Sequence, residues 1–249
     1  MRNLRGVWLG RRAYGPVQEL QLELREARKA GRIGDTVLFV EHDPVVTLGR
    51  GSKAAHLIWS RDALRARGVE VFETGRGGDV TLHAPGQLVC YPILDLAPDR
   101  CDVRRYVRDL AETMRRVARG FGVDSDRTDK YVGLWVDRQQ PSSWAGLEGA
   151  REPAKLGAIG VAISRWVTMH GYALNLTTDL ELFDLIVPCG ISEYGVTSVQ
   201  QLTGQTPDVF ETARSALRVL ADVIGAEPIE ELSSEPFRHD EYVAERRAL

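Results

Sequence analysis

The sequence predicts a single α/β domain, and three observations carry that expectation. Short runs with strand composition alternate with segments of helical spacing. No repeat, low-complexity stretch or convincing linker interrupts the 249 residues. Hydrophobic residues make up 43% and charged residues 27%, the balance of an ordinary globular chain long enough to bury a core. That balance excludes collagen, coiled coil and wholesale disorder. A net charge of −3 gives no footprint for nucleic acid, and no apolar run approaches the roughly 20 residues that cross a bilayer. Neither nucleic acid nor membrane is therefore expected as a partner. The N-terminal segment lacks the apolar core of a secretory leader. Three cysteines, an odd number, suit a reducing compartment, so a cytoplasmic protein is expected. The domain is expected over 1–230, with a charged tail over 231–249.

The elements follow in order. Pro16 and Gly31 bracket a helix with Val17, Leu20, Leu24 and Ala27 on one stripe. DTVLFVEH (35–42) and VVTLGR (45–50) read as strands. Ser60 caps a short helix ending at Gly68. VEVFET (69–74), DVTLH (79–83) and LVCYPIL (88–94) read as strands, with Pro92 placing the last at a sheet edge or a bulge. Asp102 caps the longest helix, 103–119, whose stripe is Val103, Val107, Leu110, Met114 and Val117. YVGLWV (131–136) is a strand, and the polar stretch 137–153 reads as a mobile surface loop. AIGVAI and WVTMHGYALNL are two strands meeting near Ser164 and Arg165. Thr178 and Glu181 form a capping box for a short helix that Pro188 stops. A last helix runs from Thr206-Pro207 to about Ile224.

Several residues invite chemistry. Cys189, in IVPCGI, is either a presented nucleophile or a small packing residue. A helix C-terminus just before it opposes ionisation of the thiol, so a nucleophile there needs a cation. Lys155 is the best supplier. Alternation places it with Ile159, Val161 and Ile163, although a bulge at Gly157 or Gly160 would change that parity. Facing inward, its amine holds a thiolate and moves a proton; at the strand end, it snorkels to water. The stretch GRGGDVTLHAPGQ (75–87) joins Arg76 to bare backbone, without the spacing of a P-loop or dinucleotide fingerprint. His83 either faces a cleft or caps the turn. Cys90 and Cys101 read as packing residues. His42, His56, His170 and His239 share no metal-ligand spacing with the cysteines, so no metal is expected. Arg104, Arg108, Arg115 and Arg119, with Arg105 and Arg116 beside them, form either a solvated helix face or a landing patch for an acidic partner.

RGGDVTLHAPGQLVCYPILDL (76–96), KLGAIGVAISRWVTMHGYALNL (155–176), IVPCGI (186–191) and VTSV (196–199), extended by EHDPVVTLGR (41–50), closely resemble the octanoyl-[acyl-carrier-protein]:protein N-octanoyltransferases of lipoate biosynthesis. The resemblance covers roughly residues 5–225. It implies an α/β domain of the biotin/lipoate protein ligase type, a mixed, largely antiparallel sheet flanked by helices. It further implies Cys189 as acyl-thioester nucleophile and Lys155 as the lysine that activates it. Arg76, Gly77, Gly78, Asp79, Val80, Thr81, Leu82 and His83 would hold the acyl chain and its carbonyl, together with Ala158, Ile159, Gly160, Gly171, Tyr172 and Ala173. The implied partners are octanoyl-acyl carrier protein, the lipoyl domains of 2-oxoacid dehydrogenase E2 subunits and the glycine-cleavage H protein, with no cofactor. The sequence departs from the family pattern at Asp79 (usually Gln or a basic residue), Leu82, Ala84 and Cys90, and in a longer 137–153 loop. Asp79 then either brings a negative charge close to the acyl site or faces water. The rival readings are an ATP-dependent lipoate or biotin ligase of the same fold, which needs no cysteine nucleophile, and an inactive module that binds carrier protein or lipoyl domains.

Overall fold

The computed structural model describes residues 2–191 and 193–232, and at Cys189 and Glu231 the backbone alone. Nearly all of the expected tail, 233–249, lies outside the described residues. The chain runs β1 (Arg2–Arg12), α1 (Tyr14–Lys29), β2 (Asp35–His42), β3 (Val45–Leu48), α2 (Arg61–Arg65), β4 (Glu70–Glu73), β5 (Val80–His83) and β6 (Gln87–Ile93). It continues through α3 (Val103–Arg119), β7 (Leu134–Asp137), β8 (Pro153–Ser164), β9 (Val167–Asn175), β10 (Gly195–Val196), α4 (Val199–Thr203), α5 (Val209–Ile224) and β11 (Ala226–Glu231). Eight strands form one sheet in the order β10-β8-β9-β6-β2-β1-β11, with β7 also on β8, and β4-β3-β5 form a second. Strand β1 is parallel to β2 and β11, whereas β2/β6, β6/β9 and β8/β9 are antiparallel. The sheet is therefore mixed and largely antiparallel, as expected.

Helices cover both faces of the large sheet. On one face α3 and α5 bury Leu110, Met114, Val117, Leu217 and Leu220 against Leu88, Leu134 and Leu174. On the other, α1 buries Val17, Leu20 and Leu24 against Leu38, Val40 and Val89. A third core, with Val46, Leu64, Val80, Leu82, Phe183 and Ile186, fills the space under the small sheet. Asp102 caps α3 by accepting from the Arg105 N–H at 2.9 Å. Its buried stripe starts at Tyr106 rather than at Val103, which is 45% exposed.

The structure corrects several expectations. Strand β6 is interior, not at an edge: Pro92 pairs with Val37 of β2, and on the other side the ladder with β9 stops at Cys90↔Tyr172. A proline lacking its N–H is tolerated there because no partner waits for it. The sequence reading missed β1, a polar-looking run whose Leu4 and Trp8 enter one core while Val7 and Leu9 enter the other. Helix α5 starts at Val209, because Asp208 is its cap and accepts from the Glu211 N–H at 2.9 Å. The 137–153 segment is tied down by the buried Asp137 carboxylate, which accepts from the N–H groups of Gln139, Arg151 and Glu152. Cys90 is buried, but Cys101 is exposed and is no packing residue. Among the described residues no helix is long and apolar enough to cross a membrane.

Candidate active site

A cavity of about 350 Å³ opens between the large sheet and the small one, at the low end for small-molecule sites. Strand alternation decides which residues reach it. From 79 to 83, Asp79, Thr81 and His83 line the cavity, while Val80 and Leu82 are fully buried in the small-sheet core. The resemblance had assigned the whole segment; the structure divides it by period two. Arg76 braces the turn before it, donating through Nε and Nη2 to Thr47 Oγ1 and through Nη2 to the Thr47 carbonyl at 2.6 Å. Gly77 bonds across to β8, its N–H donating to the Val161 carbonyl at 2.8 Å.

The opposite wall is the β8–β9 hairpin. Ala158 pairs with Ala173 and Gly160 with Gly171, and all four line the cavity with Ile159 and Tyr172. Two successive small–small pairs on one face leave a strip of bare backbone. Gly171 is required by close approach: a Cβ there would lie 2.2 Å from the Cys90 carbonyl oxygen and 2.7 Å from Pro92 Cδ. The hairpin closes through Arg165 and Trp166 at φ 50° and 63°, the left-handed pair of a tight two-residue turn.

Lys155 is 5% exposed and lines the cavity, and its Nζ has no hydrogen-bond partner among the described residues. The inward reading is therefore the one observed. Trp135, itself buried, takes the ammonium over its ring at 5.0 Å from the centroid and donates its own Nε1–H to the Tyr131 carbonyl. The register between β7 and β8 shifts at this point, pairing Leu134 with Gly157 but Trp135 with Lys155. Lys155 and Pro188 line one small void, which places the lysine beside the turn that carries Cys189.

That turn differs from expectation. The segment after Thr178 is a six-residue 3₁₀ helix, Leu180–Leu185, capped by Asp179, whose side chain accepts from the Glu181 N–H at 3.1 Å. The Thr178 hydroxyl caps nothing among the described residues. Ile186 and Val187 are extended, and Pro188 opens a separate 3₁₀ turn, Pro188–Gly190, instead of stopping a helix. Cys189 thus does not directly follow a helix end; Ile186, Val187 and Pro188 intervene. Asp79 does not face water: its Oδ2 accepts a hydrogen bond from His56 Nδ1 and lies against the backbone of Gly190.

Beside His83 the floor holds Tyr14, Tyr91 and His170, none of them expected at this position from the sequence, where Tyr91 and His170 read as strand residues. His42 sits beneath them; its Nδ1–H donates to the Arg12 carbonyl, so its Nε2 accepts from the Tyr91 hydroxyl at 3.0 Å. His83 Nδ1 donates to Gln87 Oε1 at 2.7 Å, so His83 both faces the cleft and ties down the turn. Burial pushes the pKa of His42 down to about 4 and those of His83 and His170 to about 3; His42 beside His83 and Arg76 near His170 push the same way. All three rings are neutral at pH 7. The sequence carries a signal for this floor, since three histidines within apolar strands are unusual. On α3 the arginine stripe is a solvated face in part: Arg115 and Arg116 pair with Glu112, and Arg116 also reaches Asp222.

The lipoyl protein ligase A/B catalytic domain matches residues 14–221. The chain belongs to that family. An octanoyltransferase of Chloroflexus aurantiacus is 44% identical over 229 residues, covering 92% of this chain and 97% of that one. One from Acidobacterium capsulatum is 49% identical over 199 residues, 77% of either chain. One from Myxococcus xanthus is 43% identical over 222 residues, 89% of this chain but 60% of that longer relative. Within the family the chain thus groups with octanoyltransferases, and it is an acyltransferase of protein lipoylation. In fold it is similar to a bipartite lipoate protein ligase of Thermoplasma acidophilum, studied with its E2 lipoyl domain (TM-score 0.71, 16% identity, 98% of this chain and 91% of that one). It is also similar to a lipoate-protein ligase A bound with ATP (TM-score 0.70, 16% identity, 98% and 93%).

Proposed function

We propose that the protein carries an octanoyl group from acyl carrier protein to a lysine ε-amine of a lipoyl domain through a thioester on Cys189. The acceptors are the lipoyl domains of 2-oxoacid dehydrogenase E2 subunits and the glycine-cleavage H protein. The observation that carries this reading is Lys155: a buried ammonium without a hydrogen-bond partner among the described residues, aimed into the cavity beside the Pro-Cys-Gly turn. An unpaired buried cation is costly, so the site is built for an anion to complete it. A Cys189 thiolate is that anion. The octanoyl chain lies along the Ala158–Ala173 and Gly160–Gly171 pairs, where backbone without side chains admits a straight chain.

The steps balance. The Cys189 thiolate attacks the carrier thioester, the new S–C bond forms, and the pantetheine sulfur leaves with the proton of the Lys155 ammonium. The neutral Lys155 amine then takes the proton lost by the acceptor amine as it attacks the octanoyl-enzyme. The amide forms, Cys189 leaves as thiolate, and the ion pair is restored. Each tetrahedral intermediate needs N–H donors for its oxyanion, and we assign them to the backbone around Gly160 and Cys189. We place the reaction in the cytoplasm, supported by the free thiols of Cys90 and Cys101, and the catalytic unit within 1–230.

The test is transfer without nucleotide. Purified protein mixed with octanoyl carrier protein and an unmodified lipoyl domain is expected to yield the octanoyl amide with no ATP present. Transfer that appears only with free octanoate and ATP would mean a ligase, and binding without transfer would mean an inactive module.

A further inference from the structure

One acid–base pair near Cys189 is unused by this mechanism. His56 and Asp79 are hydrogen-bonded to each other, with side chains only 20% and 14% exposed. Each is also pinned to the surrounding backbone. Asp79 Oδ1 accepts from the Val80 N–H at 2.8 Å, and the Asp79 carbonyl accepts from the Gly49 N–H. The His56 carbonyl accepts from the Val187 N–H at 2.8 Å, and Leu57 bridges to Ile186. The pair presses on the residue after the nucleophile. At Gly190, φ +66°, a Cβ would lie 2.6 Å from Asp79 Oδ2 and 2.7 Å from His56 Cε1.

A carboxylate at this place would oppose a thiolate at Cys189 and work against Lys155. Resting on the thioester reading above, we propose that His56 is a positioning residue that holds Asp79 as a charge-neutral couple against the Cys189 turn. A positive charge on His56 in that contact would cancel the negative charge of Asp79. The other charged groups facing the site are Lys155 from β8, Arg76 from the turn before β5, and Lys130, which is paired with Glu193 across the mouth. All three are basic side chains, and burial holds His83 and His170 neutral. Among the described residues lining the cavity, Asp79 is the one acidic side chain, and His56 is hydrogen-bonded to it.

The experiment measures iodoacetamide alkylation of Cys189 from pH 6 to 8 by peptide mass spectrometry, with the exposed Cys101 as internal reference. His56→Gln keeps a hydrogen bond to Asp79 and removes the imidazole that could carry a positive charge. It is expected to slow Cys189 alkylation about tenfold at pH 7, the effect of one pKa unit on the thiol. Adding Asp79→Asn to His56→Gln removes the uncompensated charge and is expected to recover threefold or more of that loss. Cys101 should be unaffected in both. If the pair were a mere clamp on the turn, the second substitution would leave alkylation as slow or slower, and the proposal fails. It also fails if His56→Gln reacts like the parent protein. Alkylation reads the thiolate whether or not octanoyl is ever transferred. A parent protein that takes no octanoyl on Cys189 would overturn the thioester reading, while the charge cycle would still report on the couple.

Discussion

Lys155→Met is expected to leave a folded protein whose Cys189 is about tenfold or more less alkylated at pH 7. With a free thiol pKa near 8.5, only a few per cent is thiolate at pH 7. A cation that lowers the pKa by about 1–2 units supplies roughly 1.4–2.7 kcal/mol of ion-pair stabilisation, and methionine supplies none. Transfer should fall further still, since proton transfer by a positioned group contributes roughly 10²–10⁴-fold and Lys155 serves in both half-reactions. Raising the pH should restore acylation in part and leave the amide-forming step slow. Stability should move the other way. The Lys155 Nζ is buried over Trp135 without a hydrogen bond among the described residues, so methionine fills the same space without burying a charge and should melt at an equal or higher temperature. Superimposed alkylation curves for the two proteins would remove Lys155 from the role of activating cation.

The second large effect is acid sensitivity from the cavity floor. The folded-state pKa values of His42, His83 and His170 lie at about 4, 3 and 3, below the ordinary value of 6.5. A folded-state value below the unfolded one means that the unfolded chain binds more protons as the pH falls. Stability contributed by these rings is therefore fully present above pH 6.5 and is lost on the way down to pH 4 or 3. Each ring costs about 1.4 kcal/mol per pH unit in that window, and the three together about 4 kcal/mol per unit. Against a typical total of about 5–15 kcal/mol, acid unfolding is expected near pH 4 to 5. Circular dichroism against pH checks this, and His170→Gln should lower the slope by about a third. A fold intact at pH 3.5 would show that these rings are not held neutral.

How much of this was legible in the sequence depended on how local each determinant is. The strand at 35–42 and the helix at 103–119 were read at their observed bounds, because a run of apolar β-formers and an Asp cap with a helical stripe act within a few residues. The Pro-Cys-Gly turn and Lys155 were found from residue type, and the small residues of the hairpin from the family resemblance. The histidine floor was not, because His42, His83 and His170 come from three strands of two different sheets that only the tertiary packing brings together. The role of Asp79 was half visible: its charge could be read, but its partner His56 lies 23 positions away in a short turn. Strand β1 was missed because its arginines sit towards the ends, and the burial of its centre depends on α5 arriving from the far end of the sequence on one face and α1 folding back on the other.

The central claim, that octanoyl rests on Cys189 between donor and acceptor, is tested most directly by intact-mass measurement after mixing the protein with octanoyl carrier protein alone. The account predicts one octanoyl group per chain, removed by hydroxylamine and mapped to Cys189, and none in Cys189→Ala. An adduct on Cys90 or Cys101, or no adduct in a preparation that still octanoylates a lipoyl domain, would contradict it.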